Sequence, residues 1–311
     1  MSGAILPPPM SSRVGSGKEP SPRQIRLVRA VVQRMQHEYG PQGWWPVVCE
    51  RARFRAPSDH RTLRGYHPEI YDLPKTRQGR WEVAVGAVLT QNTAWNNVER
   101  ALGALGRSRL LTPESLLKQS LSHLGVIIRP AGYFNQKARY LLALAEWFRS
   151  EDRSIAVARH SRPTLDAVRP GLLAVLGVGP ETADSILLYA YGLPTFVVDA
   201  YTRRVLGRLG VITPRAPYEQ VRGLLEHCLI ERDPVSTVRA WQQAHALFVE
   251  HAKRHHSKNA LPEEDFLLEL VQPRADGSRP TVTTKSATAP RTGRRRLRLR
   301  ATEPGAPTAA S

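Results

Sequence analysis

Residues 175–188 read Val-Leu-Gly-Val-Gly-Pro-Glu-Thr-Ala-Asp-Ser-Ile-Leu-Leu. Glycine adopts turn conformations closed to other residues and leaves room for a ligand near the backbone, while Pro180 suits the first turn of a helix. The stretch therefore predicts a tight turn that opens a helix. The amides around Gly177, Gly179 and Thr182 would then face outward as a phosphate site. Taken alone, a plain structural turn is the more common meaning of such a pattern.

The sequence around this turn is helical in pattern. Apolar residues recur at three-four spacing, as they do along 135–149, and alternating strand patterns are scarce. An all-α fold is therefore predicted. The segment 47–80 differs because it is dense in Arg, Pro and His, and it indicates a long connection.

The composition is strongly basic, with 45 Lys and Arg against 27 Asp and Glu in 311 residues and a formal net charge of +18. Such an excess favours a polyanionic partner, and no basic amphipathic membrane anchor is found, so nucleic acid is the predicted partner. Cys49 and Cys228 are too far apart for a local metal clip. No apolar run of about 18 residues occurs, and Pro7-Pro8-Pro9 stands where a signal peptide needs apolar residues. We expect a cytoplasmic, nucleoid-associated protein without membrane contact.

Both ends of the chain differ in composition from its centre. Residues 1–20 are rich in Pro, Gly and Ser, which predicts a disordered tail. From 271 to 311 the sequence predicts a second disordered tail, which holds nine Lys and Arg against two Asp and Glu, a net charge of 9 − 2 = +7. Its basic block at 293–300 suits a flexible electrostatic arm on a nucleic acid, and a solvated tail without a partner fits equally well.

Several stretches together resemble the helix-hairpin-helix and Gly/Pro-Asp signature of the endonuclease III superfamily. They are the hairpin 175–188, the loop Tyr191–Val205, the helix end Gly86–Trp95, the stretch Ala131–Ala138 and the triplet Trp44-Trp45-Pro46. The resemblance covers about residues 44–256. It implies a two-lobed helical fold that binds double-stranded damaged DNA, flips a base out of the duplex and cuts its glycosidic bond.

Two departures from the superfamily pattern narrow the expected chemistry. Members that also cleave the strand carry a lysine two residues after the second hairpin glycine, where this chain has Glu181. A carboxylate cannot form a Schiff base, so lyase activity is expected to be absent or weak. Typical relatives also end in four cysteines that hold an iron–sulfur cluster, whereas residues 252–256 here are Ala-Lys-Arg-His-His. The chain is thus most similar to the cluster-less branch of 3-methyladenine DNA glycosylases, without a cofactor.

The resemblance assigns Asp199 as the catalytic carboxylate. The residue stands directly before a helical pattern that begins at Ala200, so by position alone a structural helix cap is the favoured interpretation. The two roles are compatible. Glycosidic bond cleavage builds positive charge on the sugar, and a carboxylate kept ionised at a helix N-terminus stabilises that charge and orients a water.

The same resemblance suggests how the flipped base is replaced and held. Gln91 is the predicted gap filler because its amide both donates and accepts hydrogen bonds, although a polar residue at a helix end has the same appearance. Trp44, Trp45, Pro46 and Trp81 are the predicted base pocket, since electron-poor alkylated purines stack on indole rings. Bulky aromatic residues are as often simply core.

Backbone phosphate contacts are predicted for Lys137 and Arg203, in addition to the hairpin. Histidines near the C-terminal end of the helical region have a spacing that suggests zinc, but no cysteine or carboxylate completes a tetrahedral set, so we expect no metal. These residues are His251, His255 and His256, with Lys253 among them.

The sequence therefore predicts a monomeric DNA N-glycosylase with two helical lobes. One lobe is a central barrel of 82–193, and the other joins 21–81 to 194–270. Two alternatives stay open. One is a glycosylase that also nicks abasic sites, using another amine such as Lys137, and the other is a DNA-binding module without chemistry.

Overall fold

The computed structural model describes residues 19–47, 67–256 and 265–271. Within them lie eleven α-helices and two 3₁₀ turns, and no strand. The helices are α1 Pro22–Tyr39, α2 Arg77–Leu89, α3 Trp95–Arg107, α4 Pro113–Leu116, α5 Leu121–Ile127, α6 Phe134–Ala156, α7 Arg162–Leu173, α8 Pro180–Tyr189, α9 Ala200–Arg208, α10 Tyr218–Cys228 and α11 Pro234–His255, and the 3₁₀ turns are Arg129–Ala131 and Phe266–Leu270. The all-α prediction is confirmed.

Most helices begin where a side chain caps the first turn. At these positions an oxygen of Ser, Thr or Asp accepts the amide of the residue three places on, which satisfies a donor that the helix itself leaves unpaired. The capping residues include Ser21, Thr76, Thr112, Ser120, Ser161, Asp199 and Asp233. Helix α8 begins differently, at Gly179, without a side-chain cap.

The helices pack in two groups around a shared boundary. Helix α2 is buried at every position from Trp81 to Leu89 and packs on α3, α6 and α8, while α6 also packs on α4, α5 and α7. In the second group α11 packs on α1 and α9, and α1 packs on α10 and on the turn 266–270. Helix α8 meets α11 where the two groups join. The lobe limits predicted from the sequence, 82–193 and 21–81 with 194–270, stay a prediction.

Some sequence-based predictions fall outside the described residues. They concern residues 1–18 of the predicted N-terminal tail, residues 272–311 of the predicted C-terminal tail and residues 48–66 of the predicted connection 47–80. Among the helices that are described, none combines the length and the apolar character needed to cross a membrane.

Candidate active site and DNA-facing hairpin

The turn between α7 and α8 depends on its two glycines for different reasons. Gly177 has a φ of +81°, and a Cβ atom there would overlap the ring of Tyr140. Gly179 is the N-cap of α8 and has open space around the position of a Cβ. Because Gly179 has no side chain that could accept a hydrogen bond from the first turn of α8, the backbone amides at this helix start are open to an anion.

Gln91 lies against this hairpin. Its Nε2 donates to the carbonyl oxygen of Gly177 at 2.9 Å and to Oγ1 of Thr182 at 2.9 Å. The predicted gap filler and two of the predicted hairpin contacts are therefore neighbours in the structure. The buried helix α2 ends just before Gln91, so the position of this side chain is set by the core of the first helix group.

Lys137 does not lie where the sequence predicted it. Its side chain is buried, and Nζ donates to the carbonyl oxygens of Leu89 and Ala131 at 2.8 Å each and to Oγ1 of Thr93 at 2.7 Å. Burial lowers the pKa of its ammonium to about 8. An enclosed ammonium with three acceptors reaches neither a phosphate nor a sugar, so both roles predicted for Lys137 are corrected to a structural one. It ties the loop that carries Gln91 to the loop after Arg129–Ala131.

The second of these loops presents an aromatic side chain that the sequence reasoning missed. Tyr133 is 66% exposed, with a φ of 44° in the left-handed region. A bulky residue in this conformation is uncommon and indicates a constraint from the surrounding loop. Because Lys137 joins the two loops, Tyr133 lies on the loop next to the one that carries Gln91.

Asp199 caps α9 and is only 8% exposed. Its Oδ1 accepts the amide of Thr202 at 2.7 Å, and its Oδ2 lies 3.6 Å from Nε2 of His245. Burial alone would raise the pKa of Asp199, but the attraction of His245 and the hydrogen bond from Thr202 outweigh it, so the pKa lies below its ordinary value. The carboxylate is therefore ionised at neutral pH.

His245 is a site residue that the sequence reasoning did not find. It is buried in α11, and its Nδ1 lies 2.7 Å from the hydroxyl of Tyr189. That hydroxyl also donates to the carbonyl oxygen of Gln242 at 3.2 Å. When the hydroxyl proton goes to this carbonyl, Nδ1 must supply the proton of the other contact, and Nε2 is the ring nitrogen that faces Oδ2 of Asp199. Among the described residues Nε2 has no hydrogen-bond partner.

Two of the predicted pocket tryptophans line this site and one does not. Trp44 is half-buried and meets the ring of His245 edge-on, with 6.1 Å between centroids, and Trp45 packs between Trp95 and Tyr189 at 5.5 and 5.4 Å. Pro46, the third residue of the triplet, is buried.

Trp81 was predicted as part of the base pocket, and the structure corrects this. It is 1% exposed and packs on Phe148 in the core of the first helix group, at 5.1 Å between ring centroids. The helix spacing that buries α2 on every side also buries Trp81, so its ring cannot stack on a base. The ring of Trp95, rather than that of Trp81, lies beside Trp45.

Glu181 and Arg203 form the charged rim of this site. Burial by its surroundings and the negative charge of Asp199 raise the pKa of Glu181 to about 7, and Arg203 acts in the opposite direction. The guanidinium of Arg203 donates to the carbonyl oxygen of Ala216 at 2.8 Å. The first turn of α8 thus places a carboxylate, and no amine, next to Asp199.

Comparison with known proteins agrees with this geometry. Residues 85–229 match the HhH-GPD superfamily of base excision DNA repair proteins. The putative DNA repair glycosylase MJ1434 of Methanocaldococcus jannaschii is 37% identical over 250 residues, which is 79% of this chain and 97% of that protein. The chain belongs to the HhH-GPD superfamily. It is a base excision repair DNA glycosylase, an enzyme that acts on DNA.

Other HhH-GPD proteins match over a similar core. Endonuclease III of Sulfolobus acidocaldarius is 28% identical over 152 residues, 49% of this chain and 65% of that protein. A trapped endonuclease III–DNA covalent intermediate superposes with a TM-score of 0.57 at 17% identity, covering 79% of this chain and 94% of the other. The 3-methyladenine DNA glycosylase MagIII of H. pylori, bound to 1,N6-ethenoadenine, gives a TM-score of 0.50 at 23% identity, covering 74% and 97%. The two structures show the same fold, as predicted.

In this HhH-GPD chain the residues at the end of α11 do not fit an iron–sulfur cluster. Such a cluster is held by cysteine thiolates, and the side chains that meet here are the imidazoles of His251 and His256 and the carboxylate of Asp265. Cys228, the cysteine within the described ranges, is buried in α10 and its pKa is raised to about 11 by burial.

A buried polar network holds the loop of this HhH-GPD site in place. Asp184 is fully buried and receives both Nε and Nη2 of Arg169, at 2.7 and 3.0 Å. The hydroxyls of Thr195 and Tyr218 also donate to Asp184, at 3.0 and 2.9 Å, and the hydroxyl of Tyr218 in turn accepts the amide of Val198 at 3.3 Å. The residue before Asp199 is therefore fixed through Tyr218 to α8, and Asp184 acts on the site through these contacts.

Proposed function

We propose that this chain is a monofunctional, monomeric DNA glycosylase that removes damaged bases from double-stranded DNA, with a preference for alkylated purines. The observation that carries the proposal is Asp199. Its carboxylate is ionised, nearly buried and fixed by Thr202, and it lies beside His245 and the Trp44–Trp45 wall. A fixed charge of this kind in a site with little water stabilises the cationic sugar that forms as the base departs.

The reaction follows from the fixed position of the Asp199 carboxylate. Oδ2 of Asp199 lies 3.6 Å from Nε2 of His245, which leaves no room for a water between the two atoms, so the attacking water lies beside Oδ2 and donates one proton to it. Its oxygen then attacks the anomeric carbon of the flipped nucleotide. The glycosidic electron pair leaves with the base, and the proton released by the water passes to Oδ2 of Asp199.

Two positions near the site support hydrolysis of the glycosidic bond without strand cleavage, because neither offers an amine to the sugar. Glu181 stands at the hairpin position from which superfamily lyases attack, and Lys137 is enclosed by its three acceptors. Among the described lysines, Lys253 lies beside the pocket wall, with Nζ 5.3 Å from the ring centroid of Trp44, and it is the amine to test for the lyase alternative.

The surface around the hairpin supports binding of a duplex with a flipped base. Gln91 is already anchored on the hairpin, where phosphate would bind, and Tyr133 offers an exposed ring on the neighbouring loop. We assign Gln91 to the gap that the flipped base leaves and Tyr133 to the neighbouring stack. Because the ammonium of Lys253 faces Trp44, neutral adducts such as ethenoadenine should be accepted more readily than cationic N-methylpurines.

The proposal is tested with duplexes that carry one lesion each. The panel contains 3-methyladenine, ethenoadenine, hypoxanthine, uracil, an oxidised pyrimidine or an abasic site, and products are compared before and after hot alkali. A monofunctional enzyme gives strand breaks only after alkali. Direct nicking, together with an adduct trapped by borohydride, would favour the lyase alternative and implicate Lys253. Release of pyrimidines but not purines would overturn the substrate class alone.

A matched pair of variants separates the two roles of Asp199. Asparagine caps helices as well as aspartate does, so Asp199→Asn should leave the melting temperature close to that of the wild type. It should lower the single-turnover rate of base release by about 100- to 1,000-fold, because the negative charge is lost. Asp233→Asn makes the same change at the exposed cap of α11 and should leave the rate unchanged. Equal rates for both variants would show that Asp199 is not the catalytic carboxylate, and no product from the wild type on any lesion would leave the DNA-binding module as the better description.

A further inference from the structure

A second polar cluster lies at the end of α11. It consists of His251, His256 and Asp265, whose side chains are 0%, 2% and 1% exposed. Nε2 of His251 lies 3.1 Å from Oδ1 of Asp265, and Nε2 of His256 lies 2.9 Å from Oδ2. One potential ligand atom from each residue falls within 4.8 Å of the others. Asp265 supplies the carboxylate that the sequence analysis could not find for a metal site.

Hydrogen bonds do not account for every ring nitrogen of this cluster. Nε2 of His251 is fully buried, and among the described residues it has no partner in hydrogen-bond alignment despite its short distance to Asp265. Nδ1 of His256 is likewise buried without a partner among those residues. A buried nitrogen without a partner costs free energy, and a lone pair beside a carboxylate oxygen is repelled unless a cation lies between them.

The surroundings of His251 favour a metal ligand. Its Nδ1 lies 3.0 Å from the hydroxyl of Tyr39, and the same hydroxyl lies 3.0 Å from Nε2 of His255. In one arrangement His251 donates from Nδ1 to Tyr39, and Tyr39 donates to His255. That arrangement leaves Nε2 of His251 unprotonated and able to bind a metal. A metal-binding histidine usually donates a hydrogen bond from its other ring nitrogen, here Nδ1, and this bond fixes the orientation of the ring.

We infer that His251, His256 and Asp265 bind one divalent transition-metal ion, with zinc as the best fit. Two imidazoles and a carboxylate form a common ligand set for zinc. With bonds of about 2.0–2.1 Å, ligand atoms of a tetrahedral zinc site lie roughly 3.3 Å apart, close to the observed separations of nitrogen and oxygen. Nε of Arg208 also lies 3.7 Å from Oδ2 of Asp265, and its charge should make binding weaker than at an all-cysteine site.

The metal would act as a clip. Asp265 precedes the 3₁₀ turn Phe266–Leu270, which packs on α1, whereas the two histidines belong to the end of α11. A bound ion would join these segments directly and fix the C-terminal end of the helix that carries His245. This inference goes beyond the proposed glycosylase function and does not depend on it.

The first test uses the full-length wild-type chain and zinc chloride. After treatment with a chelator and dialysis, the metal content is measured by mass spectrometry as zinc is restored. We expect one zinc per chain. At a zinc concentration about 100 times the Kd, the melting temperature should rise by roughly 5–10 °C and fall again when chelator is added. Cobalt chloride should give the intense d–d absorption of a four-coordinate ion. A wild-type chain that takes up no zinc, or whose stability ignores it, would overturn the inference.

Variants separate a metal site from a hydrogen-bonded cluster. His251→Gln and Asp265→Asn should both abolish uptake, while His123→Gln, at an exposed histidine of α5, should retain it. Tyr39→Phe keeps all three ligands and removes the hydroxyl that contacts Nδ1 of His251 and Nε2 of His255, so it should weaken zinc binding about 10- to 100-fold. Because this variant tests affinity rather than folding, it remains informative if the ligand variants are unstable. Zinc uptake that is the same in wild type and His251→Gln would show that the ion binds elsewhere.

Discussion

At the scale of single residues, Asp199 combines two tasks that the sequence could not separate. One carboxylate oxygen caps α9 through the amide of Thr202, and the other faces His245. The cap fixes the direction of the side chain, and the start of the helix favours its negative charge. The position before a helical pattern was readable from the sequence, but His245 lies 46 residues farther along the chain, on a helix whose own pattern shows only that the residue is buried.

His245→Gln should lower the single-turnover rate of base release about 10- to 100-fold and leave DNA affinity unchanged. The reason is that glutamine retains a polar group but lacks the imidazole that lowers the pKa of the Asp199 carboxyl. The measurement is a double-mutant cycle with Asp199→Asn. If His245 acts through the Asp199 carboxylate, the double variant should be no slower than Asp199→Asn alone. His37→Gln, on the exposed face of α1, is the matched control and should behave as wild type.

Glu181→Lys should add strand cleavage to this enzyme. The new amine would stand in the first turn of α8 beside Asp199, where desolvation and, to a smaller extent, the charge of that carboxylate raise the pKa of Glu181 to about 7. An amine at this position is able to attack the sugar and form a Schiff base. The variant should give an adduct trapped by borohydride and nicks before alkali treatment. Lys118→Glu and Glu114→Lys, placed away from the hairpin in sequence, serve as charge controls and should give no adduct.

At the scale of elements, local features were predictable and long-range partners were not. The start of α8 at Pro180 follows from the glycines and the proline next to it. In contrast, the three acceptors of Lys137 come from two other loops, and its amphipathic spacing could not show that the ammonium is enclosed. The same holds for Trp81 and Trp95, because a helical pattern indicates that a ring is buried but not which ring lies opposite it.

The two hairpin glycines should respond differently to alanine. Gly177→Ala forces a side chain into the left-handed region and into the ring of Tyr140, so it should lower the free energy of unfolding by about 1–3 kcal/mol. Gly179→Ala meets open space, and its loss as a helix cap should cost less than about 1 kcal/mol. The methyl group added by Gly179→Ala would cover the open backbone amides at the start of α8 and so weaken DNA binding. Urea unfolding and fluorescence anisotropy measure the two effects. Equal stability of the two variants would contradict this division of roles.

At the scale of the whole molecule, the site is built where two groups of helices meet. Tyr189 comes from α8, Asp199 from the start of α9 and His245 from α11, while Trp44 and Trp45 follow α1. The fold class could be predicted because helical spacing and the hairpin motif are local. The composition of the site could not be predicted in full, because it depends on how α11 packs on α9. The cluster of Asp265, His251 and His256 at the C-terminal end of α11 could not be predicted for the same reason, because these side chains meet only through the packing of the folded chain.

The charge of the whole chain should determine how its DNA affinity depends on salt. Each phosphate neutralised by a cation contributes about −0.9 to the slope of log K against log salt concentration. Replacement of Arg294, Arg295, Arg296, Arg298 and Arg300 by glutamine in the full-length protein should therefore make the slope shallower by up to about 4 if this block is an arm on DNA. Five Arg→Lys changes at the same positions keep the charge and should preserve the slope. The single-turnover rate at saturating DNA should be the same in all three proteins, because Asp199 and His245 are untouched. An unchanged slope in the glutamine variant would mean that the basic block is a solvated tail, and that the phosphate contacts come from the helical body alone.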